Sequence, residues 1–445
     1  MHDLIYASAT ALAQAIRAKG ASSEEVVDAH LRRIEAVNPR LNAVVQVAAD
    51  SARAQAREAD AALARGEVKG PLHGVPFTVK DWLETEGLIC AAGFPERADF
   101  VPKRDATVVA RMRAAGAVLL GKTNALLMDP TGGGAAGNPV YGRTNNPYDL
   151  SRTPGYSSGG EAAIIAAGGS PLGLGSDSGG SIRIPAHCCG IAGLRPTTGR
   201  VPSTGHFPRI GALSDPRTQV GPMARFVEDL ALTLPVISGV DWRDSSVIPM
   251  PLGDPNAVEI AGLRAAVYTD DGIASPTPDT IEAVMAAAGA LSDAGLAVEE
   301  AWPRRIEETY EITLSYWRRR HLTGEEIDRS LFEWDRFRRA MLSFMESYDL
   351  ILCPVCERPA MPHDATGDRA ARDISYTLTY SLTGWPCVVV RAGTSPEGLP
   401  IGVQVVARPW REDVALAVAR HIETALGGYR PPREEFAARP STGSG

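Results

Sequence analysis

Residues 155–185 read GYSSGGEAAIIAAGGSPLGLGSDSGGSIRIP, a run in which glycine-dense turns alternate with apolar residues. Two serine clusters, Ser157-Ser158 and Ser178/Ser181, sit in those turns, and Glu161 to Ala167 between them has helical character. Glycine admits backbone conformations closed to other residues and lets the chain approach a ligand closely. A serine flanked by Gly179 and Gly180 can stand at a tight turn with several N–H groups aimed the same way. Acyl transfer needs those two parts, an exposed hydroxyl nucleophile and an oxyanion hole. A flexible Gly/Ser linker is the competing reading. It does not account for Ile164, Ile165, Leu172, Leu174, Ile182 and Ile184 interleaved with the glycines.

A serine nucleophile needs a base. His187 and His206 lie nearest in sequence, and neither sits in a partner pattern. Upstream, PLHGVPFTVKD (71–81) alternates Val75, Phe77 and Val79 with Pro76, Thr78 and Lys80, the pattern of a short half-buried strand. Lys80 ends that run. Burial favours the neutral form of a lysine, and neutral lysine is a competent general base. Taken alone, these residues favour an ordinary lysine snorkelling at a strand end.

The motifs together resemble the amidase signature family: PLHGVPFTVKD, then GYSSGGEAA, then GSDSGGSIRIPAHCCGIAGLRPTTGRVPSTG. The similarity continues through 105–124, 138–155, 220–232 and 398–423, and is weaker between about 235 and 385. It implies a hydrolase of amides, with esters and carbamates (urethanes) as further substrates, acting through a Ser–cis-Ser–Lys triad. Lys80 becomes the base, Ser157 the bridging serine and Ser181 the nucleophile. The N–H groups of Ser178, Gly179, Gly180 and Ser181 become the oxyanion hole, with Ser158, Asp177 and Arg183 in support. No metal or cofactor is implied. Tyr156 replaces the family's usual glycine ahead of the cis bond, and it either packs outward against a neighbouring element or reaches toward the substrate and narrows the pocket. The loop 128–139, MDPTGGGAAGNP, also departs from the family. Its Met128, Gly132, Gly133 and Gly134 suit either a mobile pocket rim or an ordinary surface loop.

The resemblance implies one α/β domain over residues 1–445, with a mixed, largely parallel sheet sandwiched by helices. Residues 1–70 form N-terminal helices, 71–235 the signature core, 236–385 a variable substrate-pocket region, 386–430 a closing strand and helix, and 431–445 a tail. Ser22 and Glu25 make a capping-box pattern, followed by helical spacing up to Asn38-Pro39. Ala48 to Arg65 reads as a second helix, Leu263 to Tyr268 as a strand, Asp279 to Ala294 as a helix, and Tyr348 to Val355 as strand-like. Glu307 to Ser347 reads as helical and rich in aromatics, which belong more often to a core than to a substrate site.

Net charge is −8, so no broad basic surface for nucleic acid is expected, and Arg318–Arg320 reads as a solvated helix face. No apolar run reaches membrane-spanning length, and the N-terminus lacks a secretory pattern. The six cysteines are too sparse for a disulfide scaffold, and Cys353-Pro-Val-Cys356 lacks a second half to make a zinc site. A cytoplasmic monomer or homodimer acting on a small molecule is expected. Two other functions share the pattern: the A-type component of a glutamyl- or aspartyl-tRNA amidotransferase, which works with partner subunits, and an inactive binding protein on the same scaffold.

Overall fold

The structure is a computed structural model that describes residues 2–127, 137–211, 215–363, 365 and 372–433. Thirteen strands are described. In chain order they are β1 Val44–Val47, β2 Pro76–Lys80, β3 Val118–Thr123, β4 Gly137–Asn138, β5 Gly142–Arg143, β6 Leu172–Asp177 and β7 Ala192–Arg195. There follow β8 Gln219–Ala224, β9 Arg264–Val267, β10 Ala297–Glu300, β11 Leu350–Pro354, β12 Cys387–Thr394 and β13 Pro400–Ala407. All but the small β4–β5 hairpin join one sheet of order β1-β3-β2-β6-β8-β7-β12-β13-β11-β9-β10. The sheet is mixed, as expected. Its parallel pairing lies in two blocks, β3-β2-β6 and β11-β9-β10, and antiparallel ladders join the blocks.

β2 departs from the half-buried expectation, because all five of its residues are buried. Val75, Phe77 and Val79 belong to a core cluster with Leu12 and Ile16 of helix Ala9–Arg17 and Val108 and Met112 of helix Thr107–Ala114. The opposite face is covered by helix Gly159–Ala166, every residue of which is buried. A strand covered on both faces has no solvent side for its polar positions. Thr78 and Lys80 therefore point into protein.

The Ser22–Glu25 capping box forms. Its helix runs through Pro39 to Leu41 rather than ending before it, and stops at Asn42 in the left-handed region. A proline this close to the C-terminus forfeits little further helix. The stretch 307–347 divides into helices Thr309–Arg318 and Gly324–Phe344, because Thr323 and Glu326 form a second capping box that starts the latter. Tyr316, Trp334 and Phe337 are buried there while Phe332 faces solvent. Among the described residues no helix is long and apolar enough to cross a membrane.

Candidate active site

β2 and β6 are parallel neighbours, so their C-terminal ends open at one edge of the sheet. Lys80 ends β2, and the turn carrying Ser178 to Ser181 leaves β6 directly after Asp177. Helix Gly159–Ala166 begins just after Ser157 and Ser158 and lies over both strands. Gly155, at φ +103°, brings the approach to Ser157 against the helix that follows Ser181. A Cβ there would meet Pro185 Cα at 2.7 Å. In this way chain segments far apart in sequence converge on one place.

Lys80 is fully buried. Its Nζ lies 2.6 Å from Ser157 Oγ, 3.0 Å from Ser176 Oγ and 3.4 Å from the Ser176 carbonyl. The Trp82 ring centroid is 3.8 Å away. Burial pushes Lys80 well below the usual lysine value, against the pull of Asp177 and Glu161. Glu161 is also fully buried, and accepts hydrogen bonds from Thr78 and Thr123. Burial raises its carboxyl to about 7.

His206 completes the cradle. Its Nδ1 is 2.8 Å from the Pro208 carbonyl and its Nε2 is 2.9 Å from Ser176 Oγ. A carbonyl only accepts, so Nδ1 carries the proton and Nε2 is bare. The Ser176 hydroxyl must then donate to Nε2, which leaves its oxygen to accept from Lys80. Burial pulls His206 down to about 4, so the ring stays neutral above that value. A neutral Lys80 has two N–H bonds and one lone pair. Ser176 takes the N–H bonds through Oγ and carbonyl, and the lone pair faces the Ser157 hydroxyl.

The turn after β6 is held as firmly. Asp177 accepts from the N–H groups of Gly180 (2.7 Å), Ile182 (3.2 Å) and Arg183 (3.4 Å). Arg183 pairs with Asp177 at 2.9 Å, and Arg195 approaches it at 3.9 Å. Burial alone would raise the Asp177 carboxyl, but the two guanidinium groups hold it at about 2. Arg183 also donates to the Thr377 carbonyl (2.9 Å), Gln404 Oε1 (2.8 Å) and Ser381 Oγ (2.7 Å). Gly180 takes φ +130°, and a Cβ on it would meet Ile184 Cδ1 and Thr377 Oγ1 at 2.5 Å each. Only glycine fits there.

The structure brings Lys80, Ser157, Ser158, Asp177, Arg183 and the turn to Ser181 into one site, with two corrections. The Gly180 N–H is engaged by the Asp177 carboxylate and is not available to an oxyanion, so the turn can offer only Ser178, Gly179 and Ser181. The bond ahead of Ser157 is trans: the cis peptide among the described residues is Phe207–Pro208. A non-prolyl cis bond costs about 3–4 kcal/mol, and the Lys80–Ser157 contact is made without one. Ser158 donates to the Ser176 carbonyl at 3.2 Å and so ties the serine pair to β6. Tyr156 is buried in an apolar cluster with Cys188, Val355, Cys356 and Leu378, and so packs against neighbouring elements. Met128, Gly132, Gly133 and Gly134 lie outside the described residues.

Sequence reasoning missed Ser176, His206 and Trp82, and gave Glu161 no role. A carboxylate inside an all-apolar helix was the available signal for Glu161. His206 has no such signal, since thirty residues separate it from Ser176 and only the fold joins them. His187, the other histidine near the motif, faces the Gly402 and Arg358 backbone and serves packing. All six cysteines are buried thiols, with burial raising Cys353 to about 12.

A family model described as Amidase matches residues 25–321 and 319–416. The chain belongs to the amidase signature family of amidohydrolases. Among amidase relatives, an acylamidase of Rhodococcus erythropolis is 32% identical over 95% of this chain and 96% of its own. A glutamyl-tRNA(Gln) amidotransferase subunit from Moorella thermoacetica is 34% identical over 96% of this chain and 98% of its own. Among solved amidase structures, 6-aminohexanoate cyclic dimer hydrolase complexed with substrate superposes with a TM-score of 0.83 at 29% identity, covering 96% of this chain and 99% of the other.

Proposed function

We propose that this amidase is a serine hydrolase that cleaves carboxamide C–N bonds through an acyl-enzyme on Ser181, and accepts esters and carbamates with the same carbonyl geometry. The observation that carries the reading is the 2.6 Å contact between a fully buried Lys80 and Ser157. Neutral Lys80 takes the Ser157 proton as Ser157 takes that of Ser181. Ser181 attacks the carbonyl, and the N–H groups of Ser178, Gly179 and Ser181 receive the oxyanion. The proton returns through Ser157 to the leaving amine, and water then attacks the acyl-enzyme by the same relay. Ser158, Asp177 and Arg183 hold the serines in place.

Purified chain should be labelled by a fluorophosphonate and should hydrolyse aryl amides without partners. Ser181→Ala should lose both, with turnover down by about 10⁶ as for other serine hydrolases stripped of their nucleophile. Near-normal activity in that variant would overturn the assignment. The similarity to amidotransferase subunits favours a second reading, a component that works only in a complex. Labelling without hydrolysis of any amide, ester or carbamate would decide for it. Failure of labelling would decide for an inactive scaffold.

A further inference from the structure

One cation beside the oxyanion turn is not used by the chemistry above. Arg217 lies just ahead of β8, is 4% exposed, and brings Nη2 to 3.4 Å from Ser178 Oγ. Among the described residues its Nε and Nη1 make no hydrogen bond. Asp215 Oδ1 is 3.6 Å from Nε, an ion pair beyond hydrogen-bonding range. Arg195 donates to the Arg217 carbonyl at 2.7 Å and so fixes the backbone beneath the guanidinium. The Tyr316 ring lies 4.0 Å from the Arg217 guanidinium and 3.8 Å from that of Arg319.

Two features of this cluster ask for an anion. A buried guanidinium with open donors loses its hydration without full replacement, and an incoming acceptor restores it. Two guanidinium groups, Arg217 and Arg319, also stack on the one Tyr316 ring, which concentrates positive charge beside the turn. A guanidinium fork matches a carboxylate better than it matches any neutral acceptor. Ser178, partly exposed and one of the turn's N–H donors, sets the distance. The 3.4 Å contact between Nη2 and Ser178 Oγ places the guanidinium beside the turn that carries Ser181.

Resting on the proposed hydrolase reading, we infer that Arg217 forms an anion subsite and that the enzyme prefers amides or esters carrying a carboxylate close to the scissile bond. The carboxylate can belong to the acyl part or to the amine part. Succinyl-4-nitroanilide against butyryl-4-nitroanilide tests the first, and 4-acetamidobenzoate against acetanilide tests the second.

In the native enzyme one charged member of these pairs should show a KM at least about tenfold below its neutral counterpart. Arg217→Met should erase that selectivity by raising the KM of the charged substrate about 10–100-fold with little change in its kcat. Arg217→Lys should keep part of it. Without any variant, and with the neutral anilide as reporter, succinate or benzoate should inhibit competitively where 1-butanol or benzyl alcohol does not. Turnover of the neutral substrates with no preference for either charged partner would overturn the subsite and leave the hydrolase reading intact. So would an Arg217→Met variant that keeps the selectivity. Absence of both turnover and fluorophosphonate labelling would instead remove the hydrolase reading, and the subsite with it.

Discussion

The cradle around Lys80 and Asp177 and the wall built by helices Thr309–Arg318 and Gly324–Phe344 lie in one molecule under opposite rules. In the cradle the Asp177–Arg183 pair is buried and answered: Arg183 alone makes contacts to Asp177, Thr377, Ser381 and Gln404. On the wall the charges lie near water, as in Arg305–Glu333 at 3.2 Å, Arg336–Glu333 at 3.1 Å and Arg329–Glu325 at 3.2 Å. Removing one partner in the cradle leaves an uncompensated charge in a dry place. On the wall, water takes the partner's role. Charge geometry is thus fixed around the serines and loosely held on the wall.

The comparison can be broken most severely at Lys80. Lys80→Met should lower turnover by about 10²–10⁴-fold, with amides hurt more than esters because amine leaving groups need protonation. On the proposed mechanism the neutral lysine is the reactive form. Activity should therefore be lost as pH falls through its lowered value, and a rate flat down to about 4, where His206 begins to charge, would exclude Lys80 as base. Stability carries the same signature. An unfolded lysine stays protonated up to about 10.4 while the buried one does not. The unfolded state therefore holds more protons between the lowered value and about 10.4, and stability should rise with pH across that window. Lys80→Met should flatten this slope in urea titrations.

Asp177→Ala should cost about 3–5 kcal/mol, because Arg183 and Arg195 are left without their counter-charge. A urea midpoint close to that of the native protein would show that the arginines find other acceptors. In the native protein the contribution of Asp177 should be complete above about 3.9 and be lost as pH falls through about 2.

A smaller effect is expected at His206. With His206→Phe the ring is kept beside Trp82 but its acceptor is gone. Ser176 is then free to donate to the Lys80 lone pair, in competition with Ser157. The expected result is about a tenfold lower kcat, an unchanged KM, and an acid limb moved to lower pH, since the new bond favours neutral lysine. A fall in stability with an unmoved limb would make His206 a packing residue only. On the wall, Glu333→Ala should change stability by less than about 1 kcal/mol. A larger loss would mean that the two regions differ less than their exposure suggests.

The same contrast explains what the sequence disclosed. The Lys80 strand, the serine pair and the glycine turn are written as contiguous motifs, because each needs a fixed local backbone. The sheet's parallel blocks and the fate of Gly180 were not legible. The first depends on pairings between distant strands. The second depends on Asp177 capturing an N–H that a bare turn would leave open. His206 reaches Ser176, and Thr377 reaches the Gly179 carbonyl at 2.8 Å, across separations that no local pattern records. Pro39 misled for a different reason: a proline ends a helix only when enough helix remains to lose.

The bonds of Arg183 also set a schedule. Its partners Thr377, Ser381 and Gln404 stand 194, 198 and 221 residues further along the chain. A growing polypeptide that already contains Lys80, Ser157 and Ser181 still lacks the groups that hold the nucleophile turn. Contacts of such long separation form late. The nascent chain should therefore stay chemically silent until residues 377–404 have been translated, so that the turn is armed only after its distant partners exist.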